Sequence, residues 1–338
     1  MMTPGDAPTP VRSAASSAVD ATLYLHPQTL ARLGTFELRA KMIVEGVMSG
    51  MHRSPYKGFS VEFAQHRPYV KGDDTRHLDW KVFGRSDKLY LKQYEQETSL
   101  DLVLLVDCSG SMNYGSRAFE EASGVGRKTS PSGQPIWSKY DHATASAAAF
   151  AYMALRQGDR VGLGVYADSL IDAADRSSAQ GHWRRIVNIL SQHPVGRPSD
   201  LGHVIDQTLA KLNNRCLIVL LSDFFEDVSR IRTALARVRH RQHDVIVCQI
   251  VDRQEQEFTY TETAPFEGLE GEGRLRIDPR AVRSAYLEVF NAHLERVEKT
   301  TRSFGVDYLR VGTHDWLGPG LAAFVARRNA VLKRSKSG

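Results

Sequence analysis

The stretch 101-DLVLLVDCSGSMNYG-115 is apolar from Leu102 to Val106, then presents Asp107, Ser109 and Ser111 around Gly110. A short, continuously apolar run bounded by a turn signal is the pattern of a strand buried on both faces. Such a strand ends by delivering a carboxylate and two hydroxyls at fixed spacing to one rim of its sheet. Four further runs repeat the apolar pattern: Val161–Tyr166, Leu217–Leu221, Val245–Val251 and Tyr308–Val311. Between them the periodicity becomes helical, near Lys139–Arg156, Trp183–Gln192, Leu201–Leu212, Ser229–Arg239, Ala281–Thr301 and Leu321–Leu332. Strands alternating with helices predict an α/β fold with a doubly wound, mostly parallel sheet covered on both faces. The short run "LIDAAD" at 170–175 is a candidate additional edge strand.

The flanking sequence differs in character. Residues 1–20 are rich in Pro, Ala, Ser and Thr and are expected to be a flexible lead. Residues 21–98 are expected to form a small N-terminal α+β module. Its helical spacing lies between Pro27 and Met51, and its antiparallel strands around Phe59–Phe63 and Leu89–Tyr94. The larger domain is expected to span 99–332, with a mobile insertion at 117–135 and a basic tail at 333–338. No window approaches the ~18 apolar residues of a membrane span, and residues 1–21 lack the apolar stretch of a secretory signal. A cytoplasmic location is therefore expected. Cys108, Cys216 and Cys248 each fall in or beside an apolar run, without zinc or disulfide spacing, and read as core residues.

In a doubly wound sheet, ligands bind on the rim at the carboxyl ends of the strands. Three loops bring oxygen donors there: Asp107, Ser109 and Ser111; then Ser199 and Asp200 before the helix at 201; then Asp223 after "CLIVLLS". Carboxylates and neutral hydroxyls suit a hard divalent cation, Mg²⁺ first, with Mn²⁺ and Ca²⁺ as alternatives. Asp200 precedes an apolar helix and is expected to cap it, yet it stays an alternative to Ser199 as the second-loop ligand.

"DCSGS" resembles the Asp-x-Ser-x-Ser signature of the metal-ion-dependent adhesion site in von Willebrand factor type A domains. Asp223 in "LLSDF" falls where that fold has its distal aspartate. The upstream segment "SPYKGFSVEFAQHRPYVKGDDTRHLDWKVFGRSDKLYLKQYEQE" is similar to the one that precedes the type A domain in the bacterial family known as domain of unknown function 58. The resemblance implies that Ser109 and Ser111 ligate the metal directly and that Asp107 and Asp223 act directly or through water. Ser199 stands where a threonine is usual. It also implies a chaperone-like protein-interaction role beside a MoxR-type AAA+ ATPase.

Competing readings are disfavoured by what the chain lacks or by blander roles. A Mg²⁺-dependent phosphoester hydrolase commonly needs a second acid two residues after the strand-end aspartate, where this chain has Ser109. No Gly-x-Ser-x-Gly elbow or Gly-Lys-Ser/Thr loop occurs, so a non-enzymatic role is expected. Segment 53–92 carries nine Lys/Arg against five Asp/Glu, with Tyr56, Phe59, Tyr69 and Trp80 interleaved. That composition raises nucleic-acid binding, but such aromatics more often pack inside, and Trp80 is expected to pack between the two domains. His66, His77 and His142 lack partners at metal spacing and are expected to be structural or exposed.

Overall fold

The computed structural model describes residues 66–70, 80–92, 100–118, 136–179, 181–191, 196–262, 264–271 and 273–315, with 317, 324, 326, 327 and 330. Expectations for 1–65, 71–79, 119–135, most of the helix at 321–332 and the tail at 333–338 lie outside these residues. The chain divides into two compact units, of which the smaller is His52–Thr98.

Within the smaller unit, β1 (His66–Pro68) pairs antiparallel with β2 (Tyr90–Lys92), and α1 (Trp80–Ser86) lies between them in sequence. Trp80 opens α1, with its indole edge-on to Phe83 at 6.1 Å.

The first described element of the larger unit is β3 (Asp101–Asp107), every residue of which is buried. The short pair β4 (Arg117–Ala118) and β5 (Ile136–Trp137) follows, then α2 (Lys139–Arg156), β6 (Arg160–Tyr166) and β7 (Leu170–Ser177). Next come α3 (His182–Leu190), α4 (Leu201–Ala210), β8 (Leu217–Ser222), α5 (Val228–His240), β9 (Asp244–Val251) and α6 (Arg253–Glu257). A hairpin of β10 (Ala264–Glu267) and β11 (Arg274–Ile277), the long α7 (Pro279–Ser303) and β12 (Asp307–Gly312) complete the described elements.

Six strands form one sheet in the order β12-β9-β8-β3-β6-β7. All neighbours run parallel except β7, which returns antiparallel to β6. Strand geometry sends alternate side chains to opposite faces, and the core follows that period of two. Leu102, Leu104 and Val106 join Leu217, Val219 and Leu221 on the face covered by α2 and α3. Val103 and Leu105 join Ile218 and Leu220 on the face covered by α4, α5 and Val297 of α7. Helix α2 is buried almost all round, with alanines from Ala143 to Ala154 among its buried residues, and their small side chains let it approach the sheet closely. This is the α/β doubly wound, mostly parallel arrangement that the alternation of strands and helices predicts. Cys108, Cys216 and Cys248 are buried thiols within it. No helix among the described residues is long and apolar enough to cross a membrane.

Candidate metal centre

The strand order reverses beside β3: the chain proceeds outward through β6 on one side and through β8 on the other. Loops leaving β3 and β8 therefore diverge, and in open α/β sheets the carboxyl ends of strands at such a point are where ligands bind. Asp107 ends β3, and Asp223 immediately follows β8.

The first loop is shaped by its own aspartate. The Ser109 N–H donates to Asp107 Oδ1 at 2.8 Å, an Asx-type turn that folds the chain back over the strand end. A single 3-10 turn, Gly110–Asn113, then brings the Ser109 and Ser111 hydroxyl oxygens to 3.2 Å from each other. Adjacent ligands of an octahedral Mg²⁺ shell with bonds of about 2.1 Å lie about 3 Å apart, so this spacing suits two neighbouring positions of such a shell. The second loop is tied to the first by the Gly110 N–H, which donates to the Arg197 carbonyl at 3.0 Å. It aims the Ser199 hydroxyl at Asp107 Oδ2, at 3.2 Å. Asp200 faces elsewhere, its carboxylate accepting from the His203 N–H at 2.9 Å as the cap of α4. Of the two adjacent candidates, Ser199 thus joins the cluster and Asp200 serves the helix.

Ser222 was not anticipated. As the last residue of β8 it donates to Asp107 Oδ2 at 2.6 Å, and its oxygen accepts from the Phe224 N–H at 2.9 Å. Phe224 has a φ of 57°, a left-handed conformation uncommon for a phenylalanine, and this bend redirects the chain after Asp223. Asp223 Oδ2 accepts from Lys139 Nζ at 2.8 Å, and the same ammonium donates to Glu255 Oε1 at 2.7 Å. Lys139 was also missed: it is the first residue of α2, after a capping box in which Ser138 and Asp141 exchange bonds. A helix N-terminus disfavours a cation. What holds Lys139 there is the pair of carboxylates, aided by the Phe225 ring 4.6 Å from its Nζ.

The site carries buried negative charge. Asp107, Ser109 and Lys139 are completely buried, and Asp223 nearly so. Burial, reinforced by the charge of Asp223, pushes the Asp107 carboxyl up to about 7 against the opposing hydrogen bonds of Ser222 and Ser109. Burial, and then Asp107, push Glu226 up to about 8, and its Oε2 is buried without a hydrogen-bond partner. Burial alone would lower Lys139, but Asp223 and Glu255 outweigh it and hold the ammonium above its ordinary range. Among the described residues no three of His, Cys, Asp and Glu converge as a metal cluster. The donors are hydroxyls with two carboxylates, a set that fits a hard cation retaining water ligands better than zinc.

A protein-family model described as "Protein of unknown function DUF58" matches residues 65–296, which include every residue of this centre. The chain belongs to that family. Its relatives include uncharacterized proteins of Mycobacterium bovis and Mycobacterium tuberculosis, each 27% identical over 313 residues, covering 90% of this chain and 92% of the relative. Among solved structures, the chain is similar to BatB of Bacteroides thetaiotaomicron, with 16% identity and a TM-score of 0.39 over 70% of this chain and 100% of that one. An aerotolerance-related membrane protein of Bacteroides fragilis gives 15% identity and 0.40 over 69% and 100%. The SpRpn10 VWA domain gives 12% and 0.34 over 66% and 93%. At these scores the similarity assigns no residue a role.

Proposed function

We propose that this DUF58 protein is a non-enzymatic interaction module in which a divalent cation, Mg²⁺ first, bridges Ser109, Ser111 and Asp107 to a carboxylate of a partner protein. The observation that carries the reading is the convergence of Ser109, Ser111, Ser199 and Ser222 hydroxyls around Asp107 at the point where the strand order reverses. Ser109 and Ser111 would hold the ion, with Asp107, Ser199 and Asp223 completing its surroundings directly or through water. The ion supplies an electrophilic position for an acidic side chain. This chain's own residues orient the two hydroxyls and exclude water from beneath them. By resemblance, the partner proposed is a MoxR-type AAA+ ATPase or its client.

Hydrolase chemistry is disfavoured by the same geometry. The lysine that phosphoryl transfer would require is present, but Lys139 is fully buried and committed to Asp223 and Glu255. The test is binding of the purified chain to a MoxR-type ATPase with Mg²⁺ and with EDTA, comparing wild type with Asp107→Asn and Ser109→Ala. Binding that requires Mg²⁺ and fails in both variants supports the reading; binding unchanged in EDTA overturns it.

A further inference from the structure

The hairpin β10–β11 crosses the metal turn. Its Leu269 carbonyl passes so close to Gly110 that a Cβ at that position would lie 2.2 Å from the Leu269 oxygen. Only glycine leaves room for this approach. One residue on, Glu270 Oε1 accepts from the Ser111 N–H at 3.1 Å. The backbone amide that holds the Glu270 carboxylate therefore belongs to the residue whose hydroxyl is a candidate metal ligand. The hairpin tip is built to present that carboxylate. The Gly268 N–H donates to the Gly273 carbonyl at 2.8 Å, and Gly271 and Gly273 take φ of 96° and 91°.

The root of the hairpin is anchored to the same loop. Phe266 stacks on Phe258 at 6.2 Å and lies edge-on to Tyr260 at 5.3 Å. The Tyr260 hydroxyl is hydrogen-bonded to that of Tyr114, whose N–H donates to the Ser111 carbonyl at 3.1 Å. Around this anchor the described hairpin side chains are largely exposed to solvent. Leu269 is 41% and Leu275 66% exposed, and none of its residues with described side chains is buried. An element with few buried contacts opens at a small free-energy cost while a packed core stays closed.

We infer that Glu270 is a resident carboxylate of this centre, carried on a hairpin that covers the metal turn and is displaced when a partner's acid binds. The inference rests on the metal reading proposed above. Glu270 occupies the neighbourhood a partner's carboxylate would enter, so the closed chain competes with its partner for one position. Partner affinity is then lowered by the fraction of molecules in which the hairpin is shut.

The test uses the full chain with Mn²⁺ as the probe. Calorimetric titration and hydrogen exchange of the 264–277 segment are measured for wild type and Glu270→Gln, with and without the ion. The expected result is that Mn²⁺ slows exchange of that segment about tenfold in wild type, as about 1.4 kcal/mol of closing free energy would. Glu270→Gln still binds Mn²⁺ but loses this slowing. It also admits acetate to the bound ion, read as ¹³C relaxation, whereas wild type excludes it. Mn²⁺ binding without slowing in wild type, or with equal slowing in Glu270→Gln, overturns the role of Glu270 and leaves the metal centre standing. Failure of wild type to bind Mn²⁺ removes both.

Discussion

Lys139 and Asp223, 84 positions apart in the chain, meet at 2.8 Å in the interior of the rim, where the ammonium is shared with Glu255. The distal carboxylate of the candidate centre is thus neutralised by a cation built into the chain. Among the described residues, Asp107 has hydroxyl donors but no such cation beside it.

Replacing Lys139 exposes that asymmetry. Lys139→Met leaves Asp223 and Glu255 buried and unpaired, and breaking a buried pair in this way costs about 3–5 kcal/mol. Urea unfolding in EDTA should show a loss of that order. The double variant Lys139→Met/Glu255→Gln should recover part of it, and Mg²⁺ should stabilise Lys139→Met more than wild type.

The second loop separates two adjacent residues. Ser199→Ala should weaken Mn²⁺ binding measured by calorimetry with little effect on the melting temperature. Asp200→Ala removes the cap of α4, so it should cost about 1 kcal/mol of stability and leave Mn²⁺ affinity unchanged. The reverse pattern would make Asp200 the ligand.

Stability of the metal-free protein should fall as pH rises. Asp107, pushed up to about 7 by burial and Asp223, and Glu226, pushed up to about 8 by burial and Asp107, hold protons in the folded chain that the unfolded chain has already released. Between about pH 4 and 8 the native state binds more protons, so the free energy of unfolding declines through that window. Melting temperatures in EDTA should show this decline, and Asp107→Asn should flatten it.

Cys248 offers a check on the core. Burial pushes its thiol up to about 12, and it lies inside β9. A thiol-specific reagent should leave it unmodified in the native chain at pH 8 and react once the chain is unfolded, because the thiolate is the nucleophile.

Much of this architecture was legible because it is written locally. The run Leu102–Val106 announces its strand by continuous apolarity, and the turn Asp107–Ser111 follows from adjacent residues. Likewise α2 occupies Lys139–Arg156, the range its periodicity indicates, since Ser138 and Asp141 mark its start. What escaped depends on distant encounters. Nothing near Lys139 indicates a carboxylate 84 positions away, and Ser222 is one apolar strand's last residue until β3 lies beside it. The hairpin was hidden because "APFEGLEGEGRLRI" mixes glycines and charges without alternation, and its position becomes visible only where it crosses Gly110.

The measurement that bears most directly on the centre is calorimetric titration of Mn²⁺ and Mg²⁺ into the purified chain and its Ser109→Ala/Ser111→Ala variant. Circular dichroism would establish that the two share a fold. The account predicts one saturable ion per wild-type chain and its loss in the double variant. Equal binding by both, or no binding by wild type, would contradict it.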